Sequence, residues 1–177
     1  MALNLINLND EVRKLMLSEF EDDLENGKLY CSKRLSSLGI NDYSALLRKA
    51  IQNYDDNWLS QELSKNGRLN TTETTKKGTR KIPYNASITL AEGEFNRYYI
   101  RGICLYAINN NINTLSIYRA KQVENPRIES QLKIGKTINP TSLLNDLRSN
   151  IGTDLIQLRK IYGFKIDCME SKKHNIQ

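Results

Sequence analysis

The chain of 177 residues is long enough for one domain with a real core, and its 39% hydrophobic and 26% charged residues exclude disorder throughout. Its net charge of +6 is uneven: residues 1–63 carry seven Lys/Arg against eleven Asp/Glu, net −4, whereas residues 64–177 carry nineteen against nine, net +10. No apolar run reaches the roughly 18 residues that cross a bilayer, and residues 1–8 lack a secretory signal, so a cytoplasmic protein without a membrane partner is expected.

The first third reads as helices. Asn9 caps a run in which Val12, Leu15, Met16, Phe20 and Leu24 follow helical spacing until Asn26-Gly27 stops it. The outer face of this helix carries Glu19, Glu21, Asp22, Asp23 and Glu25. A calcium loop needs Asp or Asn at alternate positions with a turning Gly and a closing Glu; that pattern is absent, so the carboxylates read as a solvated face and no metal is expected. After a turn closing at Gly39, Asn41 is placed to cap a second helix with Tyr43, Leu46, Leu47, Ala50, Ile51 and Tyr54 inward. A third, shorter helix starts near Asp56 or Asn57 and ends at Asn66-Gly67, with Trp58 as a core residue among leucines.

Residues 70–81 contain no apolar side chain and carry Lys76, Lys77, Arg80 and Lys81 among their last six positions, which predicts a flexible basic loop. Basic arms of this kind touch nucleic acid or thread onto an acidic neighbour. The chain therefore divides into an acidic helical part (1–69), the basic loop (70–82) and a basic α+β part (83–177), within one compact domain.

Thr89 and Glu92 match the Ser/Thr-x-x-Glu capping box ahead of an apolar run, which predicts a helix over 90–108. Glu94, Arg97 and Arg101 fall on one side of it, and Gly93 and Gly102 permit close approach by a neighbouring backbone. A strand is predicted over 114–123, with Leu115, Ile117, Arg119, Lys121 and Val123 on one face. If helix and strand pack, Arg97, Arg101, Arg119 and Lys121 form a pocket of four positive charges, suited to phosphate or carboxylate. Residues 127–136 read as irregular or briefly extended. Asn139-Pro140 opens a helix with Leu143, Leu144 and Leu147 inward, a further helix covers about 153–162, and 164–168 adds an edge strand before a Lys-rich tail.

Enzyme signatures are missing. Cys31, Cys104 and Cys168 lie far apart with no Cys-x-x-Cys pair, and His174 is the one histidine, so neither a disulfide framework, a zinc site nor His-dependent catalysis is expected. Metal-dependent nucleases place an acid-x-Lys pair on a strand, but here the strand reads Arg119-Ala120-Lys121, a cation where the carboxylate belongs. No catalytic residue and no cofactor is assigned.

The string from Leu90 to Cys104, Tyr118-Arg-Ala-Lys121 with Asn125-Pro126-Arg127 and Glu129-Ser130, and Leu143-Leu144-x-Asp146-Leu147-Arg148 resemble an uncharacterised family of bacterial and phage proteins. The similarity extends over most of the chain, but the family's Gly- and Pro-rich ending is replaced here by the Lys-rich tail. The resemblance implies a place among tailed-phage or prophage structural genes, and it brings no catalytic residues. The expectation is an α+β domain, mainly helical with a small sheet, that acts as a virion or head-assembly module in the host cytoplasm and the virion. Its partners are protein neighbours or further copies of itself, with DNA as a further contact; the alternative is a nucleic-acid-binding protein using the basic Arg/Lys surface.

Overall fold

A 24-residue helix, α4 (Ala86–Asn109), is the axis on which the other elements pack. The computed structural model describes residues 2–126, 128–151 and 162–166. Three helices precede the axis: α1 (Asp10–Glu25), α2 (Ser37–Asn53) and α3 (Asp56–Ser64). A hairpin of β1 (Thr72–Thr75) and β2 (Gly78–Lys81) separates them from α4. Beyond α4 come β3 (Leu115–Arg119), the single turn α5 (Ile128–Gln131), β4 (Thr137–Ile138), α6 (Pro140–Ser149) and β5 (Tyr162–Lys165). The outcome is a mainly helical α+β domain with small antiparallel sheets.

Local signals set several boundaries. The Asn9 side chain accepts from the Val12 N–H, and Asn139 accepts from the Ser142 N–H ahead of Pro140, as cap chemistry predicts. Asp55 caps α3 through the Trp58 N–H. Two starts differ from expectation. α2 begins before Asn41, because the Ser36 hydroxyl accepts from the Gly39 N–H and brings Gly39 inside the first turn. α4 begins at Ala86, so Thr89 and Glu92 lie inside the helix and Glu92 bonds Lys121 instead of closing a capping box.

Helices α1, α3 and α6 surround α4, and the apolar interior joins Met16, Phe20, Leu63, Phe95, Ile103 and Leu147. α1 lies very close: a Cβ added at Gly102 would stand 2.8 Å from Met16 Cγ and 3.1 Å from the Val12 carbonyl oxygen. The expected close approach at this glycine is what the packing requires. Arg13 closes the far end of α2 by donating to the Ile51 oxygen at 2.6 Å and the Tyr54 oxygen at 2.8 Å.

The three-stranded sheet has the order β4-β3-β5, both pairs antiparallel, with Ile117 opposite Phe164 and Leu115 opposite Ile138. Strand β3 is shorter than the predicted 114–123 and leaves Lys121 beyond its end. The predicted edge strand is present as β5, two residues earlier in the chain, while the helix placed at about 153–162 and the Lys-rich tail fall outside the described residues, apart from Tyr162 at the start of β5. Residues 3–7 strap this sheet to the helices. The Asp56 carboxylate accepts the Leu3 N–H, Tyr118 and Tyr99 hydroxyls accept the Ile6 and Asn7 N–H groups, and the Asn7 side chain accepts the Ile166 N–H.

Candidate anion-binding surface

Eight cationic side chains were expected to meet an anion, and the structure distributes them among four environments. Arg101 is fully buried, which corrects its expected place on an outward helix face. Its Nε reaches Glu19 at 2.6 Å, its Nη1 reaches Asp23 at 2.5 Å, and its guanidinium lies over the Tyr98 ring at 5.3 Å. The physical reason is that α4 is enclosed and at Arg101 faces α1. Glu19 and Asp23, expected in a solvated carboxylate face, are 4% and 2% exposed and turn inward to meet it. Spaced four apart, they lie on one side of α1.

Arg148 of α6 joins this centre by donating to both Glu19 oxygens, and the Tyr98 hydroxyl donates to Asp23 at 2.9 Å. Burial pushes the Glu19 carboxyl up, but the hydrogen bonds and charges of Arg148 and Arg101 outweigh it, and its pKa lies below the ordinary range. A charge this completely paired is not available to an external anion.

Arg97 is also nearly buried. It pairs with Glu94 at 3.3 Å and stands 5.8 Å above the Tyr30 ring. Cys31 and the fully buried Tyr43 share this neighbourhood; burial, with the Glu94 charge behind it, pushes both of their pKa values up. A thiol held protonated in this way is a poor nucleophile.

Lys121 donates to Glu92, and Arg119 donates to the Gln131 side chain at 3.4 Å while its Nη1 is buried with no hydrogen-bond partner among the described residues. Nine residues apart at about 100° each, Glu92 and Arg101 lie on opposite sides of α4, so Lys121 stands across the helix from Arg101. The expected four-cation pocket is therefore not formed: its members are divided between opposite sides of a buried helix.

The basic segment 70–81 is the part that remains outward. It forms a β-hairpin, where an irregular flexible loop was expected, because its threonines suit extended backbone and Gly78, at φ +113, lets Lys76 and Lys77 turn the chain. Cross-strand pairs Glu73 with Arg80 and Thr72 with Lys81 put these side chains on opposite faces. Glu73 accepts from Arg34 at 2.7 Å and from Arg80 at 2.8 Å, which ties the hairpin to the segment before α2. Lys76, Lys77 and Lys81 are exposed and make no ion pair among the described residues. Just past the hairpin, Tyr84 is 99% exposed.

Two features were not anticipated. An open hollow of about 620 Å³ lies between the 3–7 strap and the α2–α3 junction, lined by Leu3, Leu8, Arg13, Asp56 and Trp58 among others. Trp58, expected in the core, is half-buried at its edge and stacks on Tyr54 at 4.4 Å. The second is the internal use of acidic charge: Glu19, Glu21, Asp23, Asp42 and Glu62, five of the eleven carboxylates of residues 1–63, pair with basic side chains of the same chain.

Among the described residues, no group of three His, Cys, Asp or Glu side chains is placed to hold a metal ion, and no helix is long and apolar enough to cross a membrane. Compared with protein-family models, curated proteins and solved structures, the chain matches none.

Proposed function

We propose that the protein is a non-enzymatic assembly and binding module, of the phage-type virion or head-assembly kind, whose hairpin engages the acidic face of a neighbouring copy. The observation that carries this reading is the hairpin itself. Its tip and outer face are exposed and cationic, while its base is fixed to the domain through Glu73 and Arg34. An arm held in a set direction loses less freedom on docking than a loose loop does. Exposed lysines on its strand also discourage indiscriminate edge pairing, which favours a selective contact.

The internal ion pairs support an acidic partner face: they consume cations and carboxylates together and leave the lysines of the hairpin in surplus. Asp10, Glu11 and Glu25 of α1 remain exposed as carboxylates on a second copy. Mass photometry tests the reading. A defined oligomer is expected at micromolar concentration, and Lys76→Glu with Lys77→Glu and Lys81→Glu should dissociate it. A chain that stays monomeric at every concentration and salt refutes it.

A further inference from the structure

The hairpin lysines and Tyr84 occur together, and their chemistry points beyond a protein contact. Lys76 and Lys77 occupy the turn, and Lys81 projects from the face opposite Glu73, so none of the three is neutralised by the one carboxylate of the hairpin. Tyr84 follows Lys81 by three residues, which places their Cα atoms within about 11 Å of each other. A tyrosine with 99% of its surface in water buries nothing in this chain. Its ring is an exposed flat face at the base of an arm that carries Lys81 nearby and Lys76 and Lys77 at its tip.

We infer that this corner binds single-stranded nucleic acid, with Lys76, Lys77 and Lys81 on successive phosphates and an unpaired base stacked on Tyr84. Stacking on aromatic side chains combined with a cationic track is the sequence-tolerant mode by which proteins hold single strands. A duplex satisfies the lysines but keeps its bases stacked within the helix, so the ring gains nothing from it. An acidic peptide likewise offers charge without a conjugated face. The site differs from the pocket that the sequence pointed to, since Arg97 and Arg101 are buried and Lys121 is paired. This inference uses the same three lysines as the assembly reading, so a single strand competes with the acidic face for them, but nucleic-acid binding at the hairpin does not require an oligomer.

Fluorescence anisotropy with a labelled oligothymidylate tests it, with the duplex of equal length and polyglutamate as the two other anions, between about 50 and 200 mM salt. The single strand is expected to bind best. Replacing Lys76, Lys77 and Lys81 with Ala should reduce the slope of log affinity against log salt by roughly 2, at about 0.7 per lost phosphate contact. Tyr84→Ala should weaken single-strand binding roughly 5- to 150-fold at fixed salt and leave the slope unchanged, while Tyr84→Trp retains binding. All four side chains are exposed, so the variants keep the wild-type fold, which circular dichroism checks. No binding at low salt, equal or tighter binding of duplex or polyglutamate, or an unaltered affinity in Tyr84→Ala overturns the inference. The oligomer seen by mass photometry is then still intact, so failure here is distinct from failure of the assembly reading.

Discussion

Replacing Arg101 with Met tests the charged centre of the fold. The side chain is 0% exposed and bonds Glu19 and Asp23 within 2.6 Å, so its removal leaves buried carboxylates with fewer partners. Among the described residues, Glu19 keeps Arg148, but Asp23 keeps only the Tyr98 hydroxyl. Breaking a buried pair from one side costs about 3 to 5 kcal/mol, a large share of a stability of about 5 to 15 kcal/mol. With a urea m-value of about 2 kcal/mol/M, the unfolding midpoint should fall by about 1.5 to 2.5 M. Asp23→Asn in the same chain removes the stranded charge, and the double variant should cost less than the sum of the singles by about 0.5 to 3 kcal/mol. Glu21→Gln, at the half-exposed pair with Arg48, serves as the comparison and should cost under about 1 kcal/mol. A loss below about 1 kcal/mol in Arg101→Met, or strict additivity with Asp23→Asn, refutes the account of a dry, coupled centre.

The two buried acids should respond to pH with opposite signs. Burial raises Asp56 from 3.8 to about 6, so its ionisation on the folded chain opposes folding: wild type should lose stability relative to Asp56→Asn as pH rises from about 4 to 6, by up to about 3 kcal/mol in denaturant titrations, and no gap should remain below about pH 3.8. Glu19 has a depressed pKa, so its contribution is present above about 4.5 and lost on acidification; Glu19→Gln should flatten the acid limb of the stability curve. Gly102→Ala should destabilise by about 1 to 3 kcal/mol despite alanine's better helix propensity, because its Cβ meets the backbone of α1; a gain in thermal midpoint refutes that packing. In a Cys168→Ser background, Ellman's reagent at alkaline pH should titrate one thiol in the native protein, the exposed Cys31, slowly because its raised pKa keeps it protonated, and two after denaturation exposes Cys104; two thiols reacting at once in the native state contradicts the burial of Cys104.

What the sequence disclosed was chemistry that acts within a few residues. Asn9, Asp56 and Asn139-Pro140 marked helix starts correctly to within a residue, because a cap is satisfied by backbone groups two or three positions away. The i, i+3, i+7 spacing of Glu94, Arg97 and Arg101 does set them on one stripe of α4, but that stripe is buried and does not face solvent. A helix packed on several sides has little outward face, and nothing within α4 reveals that Glu19 and Asp23, about eighty residues away, complete the arginine's coordination. The signal was in α1, where two carboxylates four apart on a helix have the spacing to grip one guanidinium. The hairpin is legible in part: its lack of apolar side chains shows that it buries nothing, and the β-branched threonines flanking Lys76-Lys77-Gly78 carry the signal for paired strands that low complexity masks.

The strap formed by residues 3–7 sets an order of events for a chain leaving the ribosome. Asn7 closes with Ile166 across a separation of 159 residues, Ile6 with Tyr118 across 112, and Asn7 with Tyr99 across 92. Contacts this distant in the chain form late, because loop closure must be complete before they contribute. Residues 3–7 precede all of these partners in the chain, and the bond between Asn7 and Ile166 can close only after residue 166 has been synthesised. Until that bond closes the segment holds fewer of its native partners, so docking of the strap is completed only after the elements on both sides of α4 have been made.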